Sequence, residues 1–333
     1  MTAGGTRSGR LALCVVSPCY NEAAGIRRFH EALARVLDAQ PGLDWSVVLV
    51  DDGSTDGTLA ELNALAAADP RVTACSLSRN FGHQVALTAG LDAAGGDAVL
   101  LMDSDLQHPP ELVPQMLAKF RAGADVVSAV RRHTQDATWL KRVTAGAFYA
   151  FINQISETPI VPGAADFVLL SRDAHAALRA MPERHRFLRG MVSWIGFRRE
   201  FVEFHAPPRT SGRSTYTFAR MLRLGSDALF SFSTAPVKLA TRLGLGVVAC
   251  GLLYLLYILW TILARPARIL PGWSSIMIVV LILSGVQIVF VGLIGEYIAR
   301  IFEESKGRPL YFFKQPPAPR DADRRSAPPP DGR

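Results

Sequence analysis

Ser46-Val47-Val48-Leu49-Val50-Asp51-Asp52-Gly53-Ser54-Thr55-Asp56-Gly57-Thr58 is an apolar run that stops at two acids and a glycine-punctuated polar loop, after which residues 58–68 take up helical spacing. A short β-type run that passes through turn residues into a helix is one unit of an alternating strand and helix architecture. The unit repeats on either side. Residues 11–17, 72–77, 98–102 and 125–130 read as further strands, and residues 25–39 as another helix. The expected fold is therefore α/β, a mostly parallel sheet with helices on both faces. Ligands of such sheets gather beyond the carboxyl ends of the strands.

Hydrophobic residues make up 49% of the 333, and they are unevenly spread. Residues 243–264 and 276–295 contain no charged side chain. Each stretch has the ~20 residues a helix needs to cross a hydrocarbon core of about 30 Å. A soluble core helix is rarely apolar on every face for that length. The expectation is two transmembrane helices joined by a loop over 265–275. Arg220, Arg223, Lys238 and Arg242 precede the pair and Arg300, Lys306 and Arg308 follow it, whereas the loop holds Arg265 and Arg268. The positive-inside bias then puts the large domain and both termini in the cytoplasm of an integral membrane protein with two spans. The apolar run 11–17 is too short for a signal-peptide core and reads as a buried strand.

Cys14, Cys19, Cys75 and Cys250 lack the paired spacing of a zinc site or a disulfide framework. The net charge of +7 comes without a basic stripe interleaved with aromatics, so nucleic acid is not the expected partner. Membrane lipids with anionic headgroups and phosphorylated substrates account for the excess. Trp139, Leu140, Val143, Ala147, Phe148, Phe151 and Ile152 recur at helical spacing beside Lys141 and Arg142, and Phe218, Met221, Leu222 and Leu229 do so beside Arg220 and Arg223. Both suit an ordinary packed helix or an interfacial one. From about residue 314 the tail is rich in Pro, Arg, Asp and Ala and is expected to be disordered.

Three strands run into polar, acid-bearing segments: Ser17-Pro18-Cys19-Tyr20-Asn21-Glu22, the Asp51–Thr58 loop quoted above, and Asp103-Ser104-Asp105-Leu106-Gln107. Turn and cap chemistry explains much of the second. It explains less of Asp103 and Asp105, two carboxylates one residue apart that repel unless a cation or donors compensate. A hard divalent ion, Mg²⁺ or Mn²⁺, takes oxygen ligands and leaves positions open for a diphosphate. The Gln107 amide offers one more oxygen. Asp166, on the residues alone, is better read as the cap of a turn before a strand over 167–170.

These segments, with Ser78-Arg79-Asn80-Phe81-Gly82-His83-Gln84, resemble the family 2 glycosyltransferases of GT-A type, in the dolichol-phosphate mannose synthase-like branch that makes polyprenyl-phosphate sugars. The similarity spans roughly residues 11–232, and the apolar pair resembles the hairpin of membrane-bound members. The resemblance implies a GT-A, Rossmann-like sheet and an inverting transfer of a monosaccharide from a nucleotide diphosphate sugar, expected to be UDP-linked, to a polyprenyl phosphate. It implies nucleotide-sugar contacts from Pro18, Tyr20, Glu22, Asp52 and Asp103, with Asp52 near the base. Asp103, Asp105 and Gln107 correspond to the metal site, and Asp166 to an acid near the reacting centre that shares the catalytic role with Asp105. Arg209, with Gly212, Arg213, Ser214 and Tyr216, corresponds to a loop over the diphosphate; the family often has Lys where Thr215 stands. Arg131 is a further candidate for phosphate, while His83, Arg79 and Asn80 read as scaffolding of the pocket.

The implied organisation is a flexible start over 1–10, a catalytic domain over 11–216, a juxtamembrane amphipathic helix over 217–235, two spans over 236–302 and a cytoplasmic tail over 303–333. Homo-oligomerisation is compatible with two spans. Three alternatives stand beside this reading: a membrane-bound transferase with another lipid or glycan acceptor, a processive synthase, and a transport or scaffold protein with a vestigial domain. The Gln-x-x-Arg-Trp motif of processive members is absent, and the acidic pair that a vestigial domain would have lost is present.

Overall fold

The computed structural model describes residues 10–131, 161, 163–184, 186–204, 235–264 and 272–318. Arg209, Arg213, Ser214, the amphipathic segments over 139–152 and 217–234, and most of the loop between the apolar stretches lie outside them. The described chain falls into two compact units, one holding the sheet and the other the C-terminal helices.

The first unit runs β1 (Leu11–Cys19), α1 (Ile26–Asp38), β2 (Leu43–Asp51), α2 (Thr58–Ala68), β3 (Val72–Leu77), α3 (His83–Ala93) and β4 (Ala98–Leu101). It continues through α4 (Val113–Arg121), β5 (Val126–Arg131), β6 (Ala164–Ser171), α5 (Arg172–Ala180), α6 (Leu188–Trp194) and β7 (Arg199–Phe204). A last strand, β8 (Phe313–Gln315), completes an eight-stranded sheet of order β7-β5-β6-β4-β1-β2-β3-β8. β1 pairs in parallel with β2 and β4, β2 with β3, and β5 with β7. Only β6 and β8 run against the rest.

Alternation along the strands sorts side chains to two cores. Leu13, Val15, Val47 and Leu49 join one buried cluster with Phe29 and Leu33 of α1, Leu62 of α2 and Met116 of α4. The opposite face receives α3, whose Gly90 lies so close to β1 that a Cβ would sit 2.3 Å from Val16 Cγ1. That approach fixes where α3 begins, and its first two residues are His83 and Gln84.

The direction of β6 matters most for the site. Because β6 is antiparallel to β4, with Leu101 opposite Val168, its first residues lie at the rim where β4 ends. Asp166 is inside β6, so it does not cap a turn ahead of that strand.

The tail corrects one expectation. Disorder from about residue 314 does not hold at its start, because Phe313–Gln315 pairs with the edge strand β3. Ser78 N–H donates to Phe312 O at 2.8 Å, Tyr311 Oη–H to Asp92 Oδ2 at 2.9 Å, and Gln315 Nε2 to Asn63 Oδ1 at 2.7 Å. Too poor in apolar residues to fold alone, the tail meets an edge with open backbone donors and acceptors, which needs no new core.

In the second unit α7 (Ala235–Ala264) and α8 (Trp273–Ser305) carry large apolar side chains on their surfaces, among them Leu253, Leu263, Ile288 and Val291. Gly244 of α7 faces the Phe290 ring of α8. Among the described residues Leu283–Ser305 is long and apolar enough to cross a membrane.

Candidate active site

The loops after β1 and β2 are knitted into one surface. Asn21 N–H donates to Ser54 Oγ at 2.9 Å, and Asn21 Oδ1 accepts from Thr55 N–H at 3.0 Å. Glu22 N–H donates to Thr58 Oγ1 at 2.8 Å, while Asp56 Oδ1 accepts from Thr58 N–H at 2.9 Å. Asn21 adopts φ 56°, a left-handed conformation that Asn tolerates. Pro18 is buried and its carbonyl accepts from Ser104 Oγ–H at 3.0 Å, which ties this surface to the loop after β4. Tyr20 projects from it, exposed.

Asp52 is buried and straps the next loop. Its Oδ1 accepts from Phe81 N–H at 2.8 Å and its Oδ2 from Gly82 N–H at 3.0 Å, which fixes the entry to α3. Burial raises the Asp52 carboxyl, and these two donors oppose the rise. Gly53 beside it has φ +66°, and a Cβ there would lie 2.3 Å from the Arg79 carbonyl carbon. Gly53→Ala is therefore expected to cost about 2 kcal/mol or more and to displace the Arg79–Asn80 backbone. A melting temperature equal to that of the parent chain would contradict this.

Beyond β4, Asp103 and Asp105 enter the same rim. The Ser104–Pro18 bond brings the first and third acid segments together, and Glu22 is raised by its burial and further by the charges of Asp105 and Asp56. Asp105 Oδ1 accepts from Gln107 N–H at 3.0 Å across Leu106, which holds φ 59°. A bulky residue there costs on the order of 1 kcal/mol, and Leu106 packs against the main core as compensation. Asp103 is gripped from behind by His108, whose Nδ1 accepts from Asp103 N–H at 3.0 Å. The ring stacks on Phe167 with centroids 5.1 Å apart and meets the edge of Phe204. Burial lowers the His108 imidazole to about 4, so at neutral pH it is the neutral Nε2–H tautomer that the backbone bond requires.

Burial also raises the Asp103 carboxyl, to about 6, with the charges of Asp166 and Asp105 adding to the rise. Its Oδ1 is buried without a hydrogen-bond donor, and the nearest base is His83 Nε2 at 3.5 Å. A buried anionic oxygen in this state is costly unless a cation meets it. Among the described residues no three His, Cys, Asp or Glu side chains form a closed cage. Two carboxylates at an open rim nevertheless fit a hard ion that completes its shell with water and phosphate oxygens.

Asp166 faces the same His83 nitrogen as Asp103, with Nε2 3.6 Å from Asp166 Oδ2. Arg189 grips the same carboxylate as a fork, Nε to Oδ1 at 2.8 Å and Nη2 to Oδ2 at 2.9 Å. Gln84 Nε2 donates to Oδ2 at 3.2 Å, and Gln84 Oε1 accepts from Leu188 N–H at 3.0 Å, which sets the start of α6. Burial alone would raise the Asp166 carboxyl, but His83 and Arg189 outweigh it and hold the group well below the usual carboxylate range.

The structure thus brings Pro18, Tyr20, Glu22, Asp52, Asp103, Asp105, Gln107 and Asp166 to one rim. Arg131, exposed at the end of β5, acts on His108 electrostatically. Sequence reasoning missed Arg189 and the clamp by His108, and it gave Gln84 no role. His108 directly follows the acidic segment and could have been found there, whereas nothing local marks Arg189.

Residues 14–179 match the profile of glycosyl transferase family 2, and residues 235–301 that of the GtrB C-terminal hairpin. An uncharacterised glycosyltransferase of Synechocystis sp. is 38% identical over 302 residues, covering 91% of this chain and 94% of that one. A second, from Bacillus subtilis, is 37% identical over 308 residues, covering 92% and 95%. The bactoprenol glucosyl transferase of Shigella phage SfV is 38% identical over 306 residues, covering 91% and 98%. With its acidic rim and its apolar C-terminal pair of helices, the chain belongs to the family 2 glycosyltransferases, in the membrane-associated group that carries a GtrB-type hairpin.

Proposed function

We propose that the chain transfers a single sugar, with inversion, from a UDP-linked donor to a polyprenyl phosphate at the cytoplasmic face of a membrane. The observation that carries this reading is the part-buried Asp103 carboxylate, whose Oδ1 is enclosed without a donor, at the rim beside Asp105, where the loops of Glu22 and Asp52 also end. The phage relative named as a bactoprenol glucosyl transferase supports a polyprenyl acceptor and a hexose.

In this scheme Pro18, Tyr20 and Glu22 contact the nucleotide, and Asp52 shapes its seat through the Phe81–Gly82 backbone. Asp103 and Asp105, with Gln107, would hold Mg²⁺ or Mn²⁺, and such an ion offsets charge that grows on the departing diphosphate. Arg131 and the segment with Arg209, Arg213 and Ser214 supply cations and donors for phosphate groups. The acceptor phosphate has its second pKa near 6 and is already largely anionic at neutral pH, so no side chain need deprotonate it. Asp166, kept ionised by Arg189, orients groups at the reacting centre.

The tail supports a membrane topology. Strands β1–β7 precede α7 and α8 while β8 follows them, yet all eight share one sheet. That sharing supports an even number of crossings between Phe204 and Phe313, hence two spans with the sheet and the tail on one side. The flanking Arg and Lys residues favour the cytoplasmic side.

The purified full-length chain in bilayers, given Mn²⁺, polyprenyl phosphate and a panel of nucleotide sugars, is expected to form one lipid-linked monosaccharide, identified by mass. A polymer, or no lipid-linked product with any donor, would sink the reading. Asp103 adds a pH dependence. Its carboxyl, raised to about 6, must lose its proton before it can bind a cation. Mn²⁺ affinity measured by calorimetry is expected to be level above pH 7 and to fall about tenfold per unit below 6. A level affinity down to pH 5 would count against Asp103 as a ligand.

A further inference from the structure

Gln84 touches the supports of both Asp166 and Arg189. Its Nε2 donates to Asp166 Oδ2 at 3.2 Å, and its Oε1 accepts at 3.0 Å from the N–H of Leu188, the residue before Arg189. The partners set the direction of the amide. A backbone N–H can only donate and an ionised carboxylate can only accept, so the oxygen faces Leu188 and the nitrogen faces Asp166. Side chains of similar length lack this pairing: an ionised Glu has no donor, Lys has no acceptor, and Met has no donor and only a weak acceptor.

Helix α6 draws on this contact. It spans seven residues, Leu188–Trp194, and its cap residue Phe187 makes no side-chain capping bond. The first N–H groups of a helix have no partner within it. Gln84 supplies one from α3, at the residue before the arginine whose Nε and Nη2 meet Asp166 at 2.8 and 2.9 Å. A two-bonded fork closes in one geometry, so the height of α6 against β6 decides whether it forms.

Gln84 is itself fixed. Phe81 and Gly82, just ahead of it, donate to Asp52, and its own carbonyl accepts from Thr88 Oγ1–H at 2.8 Å. Its neighbour His83 holds Nε2 at 3.5 Å from Asp103 Oδ1 and 3.6 Å from Asp166 Oδ2. The first turn of α3 therefore adjoins the loop that Asp52 straps, the acidic rim and Asp166 together. We propose that Gln84 is a positioning residue for the transfer: it registers α6 against β6, holds the Asp166 carboxylate in one orientation, and governs turnover rather than donor binding. A misplacement of about 1 Å near a reacting centre costs on the order of 100-fold in rate.

This inference rests on the proposed transfer to a polyprenyl phosphate and adds a residue to it. Its test is a double-mutant cycle in the full-length enzyme in bilayers. Gln84→Glu keeps the shape and the acceptor for Leu188 but sets a second carboxylate against Asp166. Turnover is expected to fall about 10- to 100-fold, with donor KM within about threefold of the parent. In an Asp166→Asn background the same change should alter turnover by less than about threefold, because the charged fork is already gone and the asparagine amide can donate to the added carboxylate. Gln84→Met, neutral and of similar length, carries the same cycle should Gln84→Glu fail to fold. Equal losses in both backgrounds, an unchanged turnover, or a donor KM that rises in step with the loss of turnover, overturns the proposal. So does a collapse of both variants, which makes Gln84 a structural residue. A parent enzyme that makes no lipid-linked sugar defeats the functional reading itself, whereas one that makes it and shows equal losses in both backgrounds defeats this inference alone.

Discussion

Asp103→Ala is expected to abolish Mn²⁺-dependent nucleotide binding and to lower transfer by about three orders of magnitude or more. The size of the effect follows from how the carboxylate is held. His108 accepts the Asp103 backbone N–H, and its own ring is wedged against Phe167 and Phe204, so the loop cannot swing another acid into the vacated position. Asp105 is exposed and its Oδ1 already closes a turn onto Gln107 N–H, which leaves it a poor substitute. Stability should move the other way. Removing a part-buried carboxylate whose enclosed Oδ1 has no donor relieves a cost in the metal-free chain, so the variant should melt no lower than the parent without Mn²⁺. It should also lose the rise in melting temperature that Mn²⁺ with nucleotide gives the parent. Retained Mn²⁺-dependent binding in Asp103→Ala would remove this carboxylate from the metal site; a collapse of the metal-free fold would make its role structural.

Those contrasting expectations depend on features of different legibility. The strands and the acid segments at their ends were readable because each is local: an apolar run, a turn, a helix. The acids at the ends of β1, β2 and β4 reach one rim because parallel strands deliver their carboxyl ends to the same edge. Asp166 reaches that rim by the opposite route, at the start of an antiparallel strand, and no periodicity announces a strand's direction. Arg189 lies beyond one further helix, in α6, and only the fold brings it to Asp166. Asp52 shows the converse limit. Its acid-glycine loop was legible as functional, but both carboxylate oxygens bind the Phe81 and Gly82 amides, so it acts on the pocket through a neighbouring loop.

The tail makes the same point about energy. Composition correctly says that residues after 314 cannot build a core, but a strand added to an existing edge needs none. Backbone pairing with β3, the Tyr311–Asp92 bond and the Asn63–Gln315 amide pair suffice to order the segment. Ser78, which donates to Phe312 O, opens the loop that Asp52 then fixes, so the tail strand abuts the loop proposed to shape the nucleotide seat.

Asp166→Asn should separate binding from turnover. The amide keeps the shape of the carboxylate and can still accept from Gln84 or Arg189, so the rim that holds the nucleotide should persist, with donor affinity within about threefold of the parent. What disappears is the negative charge that balances His83 and Arg189. Losing one partner of a buried ion pair costs about 3–5 kcal/mol, and less is expected here because Arg189 is more than a third exposed. Without its charged partner the guanidinium is held less firmly, and misalignment of groups at the reacting centre lowers the fraction of productive encounters. Turnover is expected to fall about 100- to 1,000-fold, with a parallel rise in acceptor KM. A base-removal mechanism gives a different pattern: turnover would fall at unchanged acceptor KM, and raising the pH would restore part of the activity as more acceptor ionised. Measuring turnover, acceptor KM and nucleotide affinity between pH 6 and 9 tells these apart. Loss of nucleotide binding to the same degree as turnover would reject both and make Asp166 a structural member of the nucleotide pocket.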